Sequence, residues 1–188
     1  MLDQLLELDK NLFLYLNNLG TDTWDNLWLI ITNKLTSIPL YATLLFLIYK
    51  KYGWKALLLL VFVVAGLITF TDQITNVFKD EFQRARPCRA EGVMDVMRYV
   101  APRCGKYGFF SGHASNSMAV AIFTGLLLKP YFKNLIYLLL IWSFIVAYSR
   151  IYVGVHYPLD IICGLTFGAI GGFGFYKLYM YILYRYIK

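Results

Sequence analysis

Charge is what this sequence has least of. Only 15% of its 188 residues are Asp, Glu, Lys or Arg, while 59% are hydrophobic and the mean hydropathy is +0.56. That leaves too little polar surface for an ordinary water-soluble domain. Histidine is nearly absent, with two residues, His113 and His156. Few carboxylates lie near either, so the usual nitrogen and oxygen ligand sets cannot be assembled, and no metal or other cofactor is expected. The cysteines are three, and the spacing of Cys88, Cys104 and Cys163 fits no zinc or redox motif. There is no internal repeat, which argues against the alternative class of a non-enzymatic anion or lipid transporter. Residues 1–20 lack the basic start, apolar core and small-residue cleavage site of a signal peptide.

What is present is a series of uncharged runs, at 35–49, 56–71, 107–128 apart from His113, 134–149 and 161–176. Each extends through flanks rich in Tyr, Trp and Phe, the residues of the membrane interface. The expected fold is all-α, a polytopic transmembrane helix bundle of five to six spans counting an amphipathic N-terminal helix, in one domain over residues 1–188. Spans are placed near 24–49, 54–79, 111–128, 134–150 and 157–184, the first open to a break between Asn33 and Pro39. In the N-terminal helix Leu2, Leu5, Leu6, Leu8, Leu12, Phe13 and Leu16 alternate with Asp3, Glu7, Asp9 and Lys10. It either lies in the membrane surface or packs on neighbouring spans. The series Gly164, Gly168, Gly171, Gly172 and Gly174 implies close helix packing.

Lys50, Lys51 and Lys55, then Lys129 and Lys133, then Arg185 and Lys188 fall on one side if the spans alternate. Short loops rich in Lys and Arg mark the cytoplasm, so the 80–110 loop and the 151–156 turn are expected to face outward. Yet Lys79, Arg84, Arg86, Arg89, Arg98, Arg103, Lys106 and Arg150, eight of the eighteen basic residues, lie at that outward face. Cations held near a bilayer call for an anionic partner, and phosphate is the simplest; a solvated basic surface touching anionic head groups is the alternative.

Three clusters sharpen this. The run from Lys79 to Pro87 continues the second span as a helical extension stopped by Pro87, which puts Lys79 and Arg86 on one face, a point charge and a planar fork. Ser111-Gly112-His113 opens the third span, where free backbone N–H groups and the helix dipole make an anion site and His113 can give a proton to a leaving oxygen. Ser149-Arg150 is followed by His156 and, four residues on, Asp160 at a helix start. The carboxylate can hold one imidazole nitrogen and sharpen the other as a nucleophile.

These clusters resemble the type-2 phosphatidic acid phosphatase superfamily, whose pattern is Lys-x6-Arg-Pro, Pro-Ser-Gly-His, then Ser-Arg-x5-His-x3-Asp. Lys79, Arg86 and Pro87 match the first part, Ser111, Gly112 and His113 the second, and Ser149, Arg150, His156 and Asp160 the third. The departure is Phe110 where the family usually has Pro. The resemblance implies a metal-independent lipid phosphatase: His156 attacks phosphorus, Asp160 orients it, His113 protonates the departing lipid oxygen and later activates water. Lys79, Arg86, Ser111, Gly112 and Arg150 then bind the phosphoryl oxygens.

The expected partners are a lipid phosphate and the bilayer, not nucleic acid. The expected location is a bacterial inner membrane, multi-pass, with the active site facing the periplasm. Undecaprenyl diphosphate ranks first as substrate, ahead of the lipid A 1-phosphate, phosphatidylglycerol phosphate and phosphatidic acid. In that oxidising compartment Cys88 and Cys104 are expected to pair, restricting the unfolded chain by roughly 3 kcal/mol, with Cys163 left as a buried thiol.

Overall fold

The computed structural model describes residues 1–187 and is a bundle of seven α-helices: α1 (Leu2–Asn18), α2 (Asp22–Thr32), α3 (Ile38–Tyr52), α4 (Trp54–Phe82), α5 (Gly112–Leu128), α6 (Leu135–Tyr152) and α7 (Pro158–Ile182). The basic tail residue Lys188 lies outside the described residues. Three helices, α4, α6 and α7 with its continuation to Ile187, are long and apolar enough to cross a membrane. α2 and the Lys34–Tyr52 segment make a further span bent by 64°. The break falls at Asn33, whose side chain accepts from Leu35 N–H and turns the chain out of the helix. α5 has 17 residues, a length of about 26 Å at 1.5 Å per residue, slightly under the roughly 30 Å hydrocarbon core. The chain is an all-α, membrane-spanning bundle.

α5 sits innermost, and small residues on α7 let it come close. A Cβ at Gly168 would stand 2.2 Å from Ser115 O, one at Gly172 2.5 Å from Ala119 O, and one at Gly164 2.6 Å from Ser111 O. The glycine series is not one seam, however. Gly171 turns toward Leu67 and Thr71 of α4 with ordinary spacing, and a Cβ at Gly174 would meet nothing within 4 Å.

α1 inverts the usual amphipathic arrangement. Its buried stripe is Asp9, Phe13 and Asn17, while Leu2, Leu5, Leu6, Leu8 and Leu12 are exposed. Asn17 reaches the carbonyls of Ile151 and Tyr152 at 3.0 and 2.9 Å and accepts from Arg98 N–H at 2.8 Å. The helix is thus packed on α6 and α7 through polar groups, and its apolar face is left for lipid.

The basic turns gather at one end of the bundle. Tyr52 donates to Leu127 O at 2.8 Å, Lys51 Nζ lies 5.1 Å from the Tyr131 ring centroid, and Tyr179 donates to Ala56 O at 3.0 Å. The end of α4, the start of α5, the end of α6 and the start of α7 meet at the other end, with the Cys88–Cys104 disulfide across their loop, Cα atoms 6.3 Å apart.

Candidate active site

α4 does not run on to Pro87. It stops at Phe82, where Gln83 takes a left-handed conformation (φ 44°) and its N–H closes on Lys79 O at 3.0 Å. The chain then extends, and Ala85 pairs antiparallel with Tyr107. Lys79 and Arg86 therefore do not share a helix face as the spacing suggested. They still converge, because the reversal turns Arg86 back toward the bundle, where its Nε donates to Tyr107 O at 2.9 Å. Gly108 fits closely there: a Cβ would lie 3.0 Å from Asp160 Oδ2 and 3.3 Å from Arg86 Cγ, so these side chains would have to give by a few tenths of an ångström.

Ser111 caps α5 by position, and its N–H donates to Asp160 O at 3.0 Å, which fixes the start of α5 to the start of α7. Its hydroxyl is buried and has no hydrogen-bond partner among the described residues, and the same holds for Arg150 Nε. Both are donors that an anion's oxygens can satisfy. Arg150 Nη1 donates to Thr32 Oγ1, so the broken span holds this guanidinium in place. After α6, Gly154 adopts φ 82° and Val155 N–H returns to Arg150 O, so the chain doubles back and delivers His156 inward. A Cβ on Gly154 would strike Met97 Cε at 2.3 Å and Arg98 O at 2.8 Å.

His156 is 2% exposed and Asp160 fully buried. Asp160 Oδ2 lies 3.3 Å from His156 Nδ1 and accepts Tyr157 N–H at 3.0 Å, while Oδ1 accepts Arg84 Nη1 at 2.8 Å. With Nδ1 donating to the carboxylate, Nε2 keeps its lone pair. Burial pushes the His156 imidazole down to about 4, outweighing the upward pull of Asp160. The ring is thus neutral at physiological pH. Burial also lowers the Arg86 guanidinium, with Asp160 opposing.

His113, His156, Lys79, Arg86 and Arg150 line one chamber of about 760 Å³, and Gly112 borders it as well. From this polar end the chamber runs along Ile68, Val64, Leu60, Ile48 and Leu44. Asp72 lines it too, accepting from Asn116 Nδ2 at 2.8 Å. Among the described residues, no group of three His, Cys, Asp or Glu side chains is placed to hold a metal ion.

The sequence pooled eight cations; the fold sorts them. Arg98 is neutralised by Asp22 and Asp25 at 2.7 and 3.1 Å, and Arg84 by Asp9 and Asp160 at 2.5 and 2.8 Å. Arg89 donates to Cys104 O at 3.2 Å on the disulfide loop. Only Lys79, Arg86 and Arg150 of the eight line the chamber. The sequence assigned no role at the site to Asp9, Arg84, Thr32 or Asp72. The one available signal was that Asp9 and Asn17 sit on the same face as Phe13, a polar stripe inside an apolar helix.

The sequence matches the PAP2 superfamily over residues 54–184. It is 34% identical over 179 residues to a lipid A 4'-phosphatase of Bacteroides thetaiotaomicron, covering 94% of this chain and 79% of the relative. It is 36% identical over 190 residues to a lipid A 4'-phosphatase of Porphyromonas gingivalis, covering 99% and 79%. The fold is similar, with a TM-score of 0.74 at 17% identity, to a transmembrane PAP2-type phosphatidylglycerolphosphate phosphatase from Bacillus subtilis, over 98% of this chain and 90% of that one.

Proposed function

Because the chain belongs to the PAP2 superfamily, we propose that it is a membrane phosphatase that removes phosphate from a lipid head group through a phosphohistidine on His156. The observation that carries this is the junction inside one chamber: two histidines and four cations (Lys34, Lys79, Arg86 and Arg150) among its lining, and an aliphatic wall running away from them. A water-soluble ester has no use for that wall, whereas a lipid can leave its tail there and present its phosphate to the cations.

His156 Nε2 attacks phosphorus in line, the N–P bond forms as the P–O bond to the lipid breaks, and His113 gives its proton to the departing oxygen. Water then attacks phosphorus as the N–P bond breaks, releasing inorganic phosphate and freeing His156, while His113 takes the proton from that water. Lys79, Arg86, Arg150, the Ser111 hydroxyl and the first N–H groups of α5 stabilise the charge that gathers on the phosphoryl oxygens. Those fixed cations supply the role a metal plays elsewhere, so the reaction proceeds without one.

Lipid A is the first candidate substrate, supported by the near full-length likeness to two lipid A 4'-phosphatases. Undecaprenyl diphosphate, first on sequence alone, stands behind it. The site faces the periplasm of a bacterial inner membrane, supported by the grouping of Lys51, Ala56, Leu127 and Tyr131 at the opposite end, where the basic turns mark the cytoplasm. The test is phosphate release from purified lipid A, undecaprenyl diphosphate, phosphatidylglycerol phosphate and phosphatidic acid in detergent, with and without EDTA. Release from lipid A that survives the chelator is expected. No release from any of the four, or strict dependence on an added divalent ion, contradicts the proposal.

A further inference from the structure

The geometry points to Asp9 and Arg84 as positioning residues for the nucleophile, so that the N-terminal helix is a working part of the active site. This rests on His156 being the nucleophile. Neither residue lines the chamber, and neither is one of the motif positions, although Arg84 lies inside the run from Lys79 to Pro87. Arg84 Nη1 bonds Asp160 Oδ1 at 2.8 Å, and Arg84 Nη2 bonds Asp9 Oδ2 at 2.5 Å. The other oxygen of Asp9 accepts Leu159 N–H at 2.8 Å, in the same first turn of α7 that carries Asp160. The guanidinium also lies 4.2 Å from the Tyr157 ring centroid. The result is a closed ring running from α1 to Arg84, to Asp160, along one peptide to Leu159, and back to α1.

The ring answers a physical problem. Asp160 is fully buried, and a buried carboxylate without a compensating charge either takes up a proton or turns away. In either case it no longer holds the His156 Nδ1–H. Arg84 supplies the compensating charge on the oxygen that His156 does not use. Burial alone lowers the Arg84 guanidinium, but Asp160 and Asp9 outweigh it and the net shift is upward; burial raises the Asp9 carboxyl, and Arg84 and the Leu159 N–H oppose that. The ionised pair is the arrangement that satisfies every one of these contacts. A guanidinium between two carboxylates also has its plane fixed, which a single partner would not do. Supporting groups of this kind set a reactive imidazole's tautomer and angle without touching substrate.

The test uses full-length protein in detergent and the variants Asp9→Asn, Arg84→Met and Arg84→Lys. Histidine is scarce enough that ring-15N labelling yields two sets of signals, with His113→Gln identifying those of His113. In the parent, His156 is expected as a single Nδ1–H tautomer. Arg84→Met and the isosteric Asp9→Asn are expected to show both tautomers, and Arg84→Lys to restore most of the first. In turnover of a lipid phosphate the parent hydrolyses, kcat should fall at least about ten-fold in Asp9→Asn and Arg84→Met while KM stays within about two-fold. A residue that only pins α1 would lower the thermal midpoint and leave the tautomer and the kcat of the folded fraction alone. That result, or an unchanged His156 tautomer in both Asp9→Asn and Arg84→Met, overturns the inference. If the tautomer shifts but the parent releases phosphate from no lipid, the positioning stands and the proposed function fails. Should Arg84→Met not fold, Asp9→Asn and Arg84→Lys carry the comparison.

Discussion

Asp160 Oδ2 is shared between the Nδ1 of His156, at 3.3 Å, and the backbone N–H of Tyr157, at 3.0 Å. One oxygen therefore caps α7 and orients the imidazole at once. Asp160→Asn offers an amide in place of a carboxylate and loses the charge that stabilises the developing imidazolium. It is expected to lower kcat by about a hundred-fold or more, and by less than His156→Ala or His113→Ala, which remove a proposed chemical role outright and should abolish turnover. Phosphate release by the purified variants, at matched thermal midpoints, checks the order.

Burial holds the His156 imidazole at about 4, well under the ordinary 6.5. The group is lowered in the folded protein, so its neutral form, the one the proposed mechanism needs, is present above about pH 4 and is lost as pH falls through that value. The measurement is the ring-15N titration of His156 in the folded protein. A midpoint near or above 6.5 would show that the burial is relieved in solution.

Sidedness is open to direct labelling. Single-cysteine reporters placed near Lys50 and near Lys133 are expected to react only from the cytoplasm, and a reporter near Glu91 only from the periplasm. Peptide mapping of membrane-derived protein under non-reducing conditions is expected to recover Cys88 joined to Cys104, in accord with an oxidising compartment. Cytoplasmic labelling near Glu91, or free thiols at both positions, contradicts the orientation.

The contact of α5 with α7 can be tested by filling it. A Cβ at Gly168 would stand 2.2 Å from Ser115 O, whereas one at Gly174 meets nothing within 4 Å. Gly168→Val is expected to cost about 1–3 kcal/mol or more by overpacking, and Gly174→Ala to leave the thermal midpoint within a degree or two of the parent. Equal midpoints for the two variants would refute the close approach.

Much of this architecture is legible in the sequence, because hydropathy and short motifs are local. The runs that become α4, α6 and α7, the break at Asn33, and the residues of the three motifs all declare themselves within short windows. What escapes is non-local or conformational. Gln83 bears no mark of a left-handed residue, so Pro87 looked like the helix stop and the reversal that aims Arg86 was invisible. Arg84 and Asp9 stand 75 residues apart, and each has an ordinary local explanation: one more loop cation, one more acid on a polar helix face. The two faces of α1 are distinguishable only once α6 and α7 are in place, since lipid takes the side that water would leave apolar.

The most direct test of the mechanism is to stop turnover with alkali, which preserves phosphohistidine, and to map phosphate on the protein by peptide mass spectrometry. The His113→Ala variant, lacking the group proposed to activate water, should be examined beside the parent. Base-stable, acid-labile phosphate on the peptide carrying His156 is the required result, absent in His156→Ala. Turnover by the parent with no phosphate on His156, or with phosphate on a different residue, would contradict it.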